Sequence, residues 1–177
     1  VITVYNEEEN IEPMVKVVDE ALVGFEYDII YVDDGSTDNT VKAIKSLAHP
    51  RVHLIELKKN YGQSYALSAG IDYADGDYIV TMDGDLQNDP TDITMMLQES
   101  KDGDYDLVTG IRQKRKDNFI RTIPSRIANT IVRKSTGVHI KDNGCALKLF
   151  KADTAKSIGL YGEMHRFIAI LAHFEGA

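Results

Sequence analysis

Two hydrophobic periods alternate along the first two thirds of the chain. Short runs rich in β-branched and aromatic residues at positions 2–5, 27–33, 52–56, 78–82 and 107–109 predict strands. Between them, positions 9–22, 40–48, 63–74 and 91–99 carry helical spacing. In the first of these helices Ile11, Met14, Val15, Val18 and Leu22 fall on one face. Strand–helix alternation of this kind predicts an α/β domain built on a mainly parallel, Rossmann-like sheet flanked by helices. Ligands of such sheets bind beyond the carboxyl ends of the strands, which is where the polar clusters of this sequence fall. The last third reads differently. It predicts a helix over about residues 119–135, started or interrupted at Pro124 and stopped by Gly137, then a strand-like run at 145–150 and a helix at 164–174. No linker composition, repeat or low-complexity stretch separates the two parts, so one domain is expected.

Composition narrows the partners. A formal net charge of -8 argues against nucleic acid. The positive charge is nonetheless concentrated: Arg112, Lys114, Arg115, Lys116, Arg121, Arg126, Arg133 and Lys134 lie within one stretch whose only acid is Asp117. A basic segment in an acidic protein points to an anionic ligand, although the same run would also serve as a solvated helix face. The single cysteine, Cys145, excludes an internal disulfide and reads as a buried small hydrophobe. No apolar run reaches the ~18 residues of a membrane helix, so this stretch is expected to be soluble. The chain starts at Val1 on an apolar run and stops at Ala177 straight after a helical pattern, so both ends read as cut.

Three clusters carry candidate chemistry. Tyr5-Asn6-Glu7-Glu8-Glu9 follows the first strand, and Asp33-Asp34-Gly35-Ser36-Thr37-Asp38 follows the second. The second is a turn in which Ser36, Thr37 or Asp38 caps the next helix. Capping needs one such residue and leaves the Asp33-Asp34 pair over, and paired carboxylates there can accept bonds from a base N–H or a ribose hydroxyl. The third cluster is the sharpest: the apolar run Tyr78-Ile79-Val80-Thr81-Met82 delivers Asp83-Gly84-Asp85-Leu86-Gln87. Two carboxylates two residues apart can converge on one hard divalent cation while leaving room for phosphate oxygens.

The ordered set Val4-Tyr5-Asn6-Glu7-Glu8, Val32-Asp33-Asp34-Gly35-Ser36, Asn60-Tyr61-Gly62-Gln63 and Met82-Asp83-Gly84-Asp85-Leu86-Gln87 resembles glycosyltransferase family 2, and within it the dolichyl- and undecaprenyl-phosphate sugar transferases. Gly110-Ile111-Arg112-Gln113-Lys114-Arg115-Lys116-Asp117, then Arg121, Ser125 and Asn129, then Asp142-Asn143-Gly144-Cys145, extend the similarity over nearly the whole chain. The resemblance implies a GT-A-type fold, with residues 1–110 as a nucleotide-sugar-binding half and 111–177 as an acceptor half truncated at its C-terminus. It implies that Tyr5, Asn6, Glu7, Asp33, Asp34 and Asp83 line the nucleotide pocket, that Asp83, Asp85 and Gln87 hold Mg2+ or Mn2+, and that Arg112, Arg121 and Ser125 bind the acceptor phosphate. Guanidinium groups suit that last task because they grip phosphate in a bidentate way. The sequence departs from the family at Thr3, where proline is usual, at the acidic Asn88-Asp89-Pro90, and at Lys148, where arginine is expected. With no tryptophan, it lacks the Gln-x-x-Arg-Trp motif of processive synthases, which implies a single transfer.

The implied reaction is an inverting, in-line transfer of a sugar from a UDP- or GDP-linked donor to a polyprenyl phosphate, at the cytoplasmic face of a membrane in the full protein. The acceptor is already anionic near neutral pH, so Asp142 is a candidate base or positioning group rather than a required one; it serves equally as a turn residue. Glu163 and Arg166 read as structural, and His139, His165 and His173 lack metal-ligand spacing and receive no chemical role. The competing readings are a family 2 transferase with a saccharide or protein acceptor, a non-catalytic nucleotide-sugar-binding module, and a dinucleotide-binding dehydrogenase. The last lacks the Gly-x-Gly-x-x-Gly turn it needs after the first strand. Homo-oligomerisation is left open, and the apolar segment 167–174 is expected to pack in the core.

Overall fold

The structure, a computed structural model, describes residues 1–111, 142, 144–160 and 162–176. The predicted helix at 119–135 and the whole basic segment lie outside those residues. Within them the chain runs β1 (Ile2–Val4), α1 (Ile11–Ala21), β2 (Ile29–Asp33), α2 (Thr40–Ser46), β3 (Val52–Glu56), α3 (Gln63–Tyr73), β4 (Tyr78–Asp83), α4 (Asp92–Gly103) and β5 (Leu107–Thr109). It ends with β6 (Lys148–Lys151), α5 (Ala152–Ser157), a 3-10 turn (Met164–Phe167) and α6 (Ile168–Phe174).

Six strands form one sheet in the order β3-β2-β1-β4-β6-β5. β1 pairs parallel with both β2 and β4, and β2 with β3, whereas β6 runs antiparallel to β4 and to β5. This is the mixed α/β, GT-A-type fold expected, with one reversed strand from the last third of the chain wedged between β4 and β5. β5 ends and β6 begins at the same edge of the sheet, as antiparallel neighbours must.

Strand pleating divides the core. Ile29 and Tyr31 of β2, Met82 of β4 and Leu149 of β6 pack with the buried stripe Ile11, Met14, Val15 and Val18 of α1, with Ile44 of α2 and with Ile93 and Met96 of α4. The alternate residues Ile30, Val32, Ile79 and Phe150 pack against Leu67 and Ile71 of α3, Ala155 of α5 and Ile168 and Ala172 of α6. Central parallel strands covered on both faces must be apolar throughout, and all of β2 is buried.

The strand expected at 145–150 begins only at Lys148. Residues 145–147 follow the neighbouring strands through isolated bonds instead: the Thr81 hydroxyl donates to the Ala146 carbonyl (3.0 Å) and the Gly110 N–H to that of Leu147 (2.9 Å). The Lys148 ammonium turns back onto the Cys145 carbonyl. The helix at 164–174 is also split, its first turn being 3-10. α5 has no counterpart in the expectation; with only Ala155 buried in six residues it presents no hydrophobic period to detect.

Two substitutions test this packing. Phe150 is wholly buried, and Phe150→Ala is expected to cost about 3–5 kcal/mol in urea unfolding. Gly35 ends the turn after β2 at φ 74°, and a Cβ there would stand 2.4 Å from the Lys59 carbonyl carbon. Gly35→Ala is therefore expected to cost about 2 kcal/mol or more, since backbone has to move.

Candidate active site

The loops after β1 and β2 are laced together. Asn6, at φ 57°, donates its backbone N–H to the Ser36 hydroxyl (2.9 Å), and its side-chain oxygen accepts the Thr37 N–H (2.8 Å). The Glu7 N–H donates to the Thr40 hydroxyl (2.8 Å), and the Glu8 carboxylate accepts the Asn39 N–H (2.8 Å). Asp38, within the predicted cap, accepts both the Thr40 N–H (2.9 Å) and its hydroxyl (2.6 Å). Tyr5 and Asn6 stay exposed at the rim, with Glu7 half-buried beside them.

The two aspartates that end β2 do different work. Asp33, 2% exposed, accepts the Gly35 and Ser36 N–H groups on Oδ2 (3.1 and 3.0 Å), and its buried Oδ1 has no partner among the described residues. Asp34, 5% exposed, accepts the Tyr61 N–H (2.7 Å) on one oxygen and the Gly62 N–H (2.9 Å) on the other. It thereby anchors the loop that opens α3. The first residue of α3, Gln63, donates its side-chain amide to Asp83 Oδ1 (2.6 Å). A chain of contacts thus runs from the end of β2 through the start of α3 to the end of β4.

Asp83 closes β4 opposite Thr3 of β1, and the Gly84 N–H donates to the Thr3 carbonyl (3.2 Å). A Cβ on Gly84 would lie 2.5 Å from Val4 Cγ1, so a larger residue between the acids has to displace that buried methyl. Asp85 Oδ1 accepts the Gln87 N–H (3.1 Å), and Leu86 holds a left-handed conformation at φ 59°. Gln87 itself is exposed. Among the described residues no three His, Cys, Asp or Glu side chains come together as a metal cage. Mg2+ bound with substrate needs no such cage, since it takes one or two carboxylates and fills the remaining positions with waters and phosphate oxygens. Asp83 ends β4 and Asp85 follows two residues on, so these are the carboxylates at this edge that could serve such an ion.

A cavity of about 300 Å³ opens beside Asp83. Its walls include Gln63, Thr81, Cys145, Lys148, His165 and Arg166. His165 is fixed by Ser64 of α3, whose Oγ lies 2.9 Å from Nδ1 and accepts the His165 backbone N–H at 3.0 Å. Burial pushes the His165 pKa down, Glu163 opposes that shift, and Arg166 and Lys148 reinforce it. Arg166 pairs with Glu163 at 3.3 Å on the exposed rim. Asp142, 8% exposed, accepts the Gly144 N–H (3.1 Å), the bond of the Asx turn the sequence allowed. Arg112, Arg121 and Ser125 lie outside the described residues. Sequence reading gave no chemical part to Ser64 or His165, and no local pattern could have paired them, since they stand 101 positions apart.

Comparisons with known proteins bear on the family and the fold. The chain is 46% identical over 174 residues to the dodecaprenyl-phosphate galacturonate synthase of Rhizobium johnstonii, covering 95% of this chain and 52% of that protein. It is 37% identical over 178 residues to an undecaprenyl-phosphate 4-deoxy-4-formamido-L-arabinose transferase of Shewanella sediminis, covering 98% and 54%. It therefore spans about half the length of these curated relatives. Among solved structures it resembles a Pyrobaculum calidifontis mannosyltransferase in complex with GDP-Man and Mn2+ (TM-score 0.65, 22% identity, covering 91% of this chain and 46% of that one). It also resembles the Mycobacterium tuberculosis glucosyl-3-phosphoglycerate synthase in complex with Mn2+, UDP-glucose and phosphoglyceric acid (TM-score 0.69, 17% identity, covering 86% and 55%). At those identities the likeness concerns the fold. The family model for glycosyl transferase family 2 matches residues 1–159, and the chain belongs to that family.

Proposed function

We propose that this chain is the catalytic domain of an inverting glycosyltransferase that moves a sugar from a nucleotide sugar to a polyprenyl phosphate. The observation that carries the reading is the Asp83-Gly84-Asp85 turn at the carboxyl end of central strand β4, beside a cavity sized for phosphate groups. The names of the relatives support the lipid-phosphate acceptor. Because the acceptor is lipid-bound, the full protein works at a membrane surface, on the cytoplasmic side, although no helix among the described residues is long and apolar enough to cross a membrane.

In this reading Tyr5, Asn6 and Glu7 form the rim of the nucleotide pocket, and Asp33 and Asp34 form its floor. Asp83 and Asp85, with Gln87 nearby, hold Mg2+ or Mn2+. When bound, the ion neutralises the charge developing on the nucleoside diphosphate leaving group. Gln63 orients Asp83 through its amide. Arg112, Arg121 and Ser125 clamp the acceptor phosphate, and Asp142 positions the turn at 142–145. An acceptor phosphate that is already ionised needs little proton removal, so the protein's main tasks are alignment of two anions and charge stabilisation.

Two outcomes are expected. Asp83→Ala and Asp85→Ala should each lower Mn2+-dependent transfer to undecaprenyl phosphate by about 100-fold or more while melting close to wild type; full activity in both variants rejects the metal site. Arg121→Ala should raise KM for undecaprenyl phosphate about tenfold, the size of one charged hydrogen bond. An unchanged KM would favour a saccharide or protein acceptor.

A further inference from the structure

The cavity is lined by one acid, Asp83, by the basic Lys148 and Arg166, and by a histidine whose proton position is set by its neighbours. Ser64 is 1% exposed. Its Oγ accepts the His165 backbone N–H, and Nδ1 of the same residue, at 2.9 Å, is the acceptor that the described residues offer to the Ser64 hydroxyl proton. A buried hydroxyl left without an acceptor is costly, so Ser64 donates to Nδ1 and the ring proton sits on Nε2. Protonation of Nδ1 would turn that bond around and strand the serine proton. The downward pKa shift from burial, aided by Arg166 and Lys148 against Glu163, favours the same neutral ring. Ser64 does not line the cavity, whereas His165 does. His165 thus lines the space shared with Lys148, Arg166 and Asp83, while Nδ1 is engaged by Ser64 and Nε2 is the ring nitrogen left to meet a ligand there.

Resting on the transferase reading above, we propose that His165, locked by Ser64 as an Nε2–H donor, binds a phosphoryl oxygen in this cavity, and that Arg166 completes the subsite from the rim. A neutral imidazole donor suits this position because its one N–H gives a phosphoryl oxygen a directional bond. The ligand chemistry is a phosphate group. Its source is either the leaving diphosphate, held between His165 and the Asp83 side, or the acceptor phosphate entering the same space.

The test is calorimetric, on the full-length protein, with two probes: Mn2+–pyrophosphate for the leaving group and undecaprenyl phosphate in detergent micelles for the acceptor. UMP serves as control. His165→Leu is expected to weaken one probe about tenfold and leave UMP unchanged. His165→Gln, whose amide N–H can replace Nε2–H, should stay within about threefold of wild type. The affected probe identifies the source. Wild-type affinity of His165→Leu for both probes, equal loss for Leu and Gln, or no binding of either probe by the wild type would overturn the proposal. If His165→Leu melts early, His165→Glu replaces it: presenting an acceptor and a negative charge, it should lose more than tenfold, and retained binding would overturn the subsite. A wild-type protein that binds these probes through His165 yet binds neither UDP nor GDP would remove the nucleotide-sugar donor and leave this subsite standing.

Discussion

Everything at the carboxyl edge of the sheet depends on how buried carboxylates find backbone donors. Parallel strands end in unpaired peptide groups, and β2 ends in two adjacent acids that are almost fully removed from solvent. Buried charge of that kind is tolerated only when it is hydrogen-bonded. Asp34 takes one N–H on each oxygen, and both come from the loop that starts α3. That requirement places Gln63 and Ser64 at the edge of the site, and those two residues in turn contact Asp83 and His165. The contacts that Asp83 and His165 make with α3 therefore trace back to the loop that satisfies Asp34.

The same edge shows where stability gives way to function. Asp33 keeps one carboxylate oxygen buried without a partner among the described residues, a condition that costs about 1–3 kcal/mol. Asn6 and Leu86 hold left-handed conformations that favour glycine. Such strain gathers at sites where the surrounding structure dictates the backbone. Here the dictating contacts are the lacing of Asn6 to Ser36 and Thr37 on one side and the Asp85–Gln87 turn on the other. The opposite edge has a left-handed residue too, Asp104 at φ 51°, and is tied by surface pairs of Lys151 with Asp104 and Asp106.

Much of this was legible in the sequence, for identifiable reasons. The 3.6-residue stripe of α1 and the short apolar runs of β2 and β4 are local signals, and β3 and β5 emerged with their expected bounds. The motif residues at three strand ends were visible because strand order and polar clusters coincide along the chain. The antiparallel insertion of β6 was not visible, since pairing partners are set by tertiary route and not by periodicity. α5 was missed because one buried alanine makes no pattern. The double role of Asp34 and the Ser64–His165 pair depend on contacts between segments far apart in sequence, and a lone serine and a lone histidine carry no spacing to reveal them.

We propose that Asp83 and Asp85 would hold a divalent cation where the nucleoside diphosphate binds. Anomalous scattering from a crystal soaked with Mn2+ and a nucleoside diphosphate tests this directly. One strong manganese peak is expected at the Asp83 and Asp85 carboxylates, beside the diphosphate. A diphosphate bound elsewhere, or a peak absent from that turn, would contradict it.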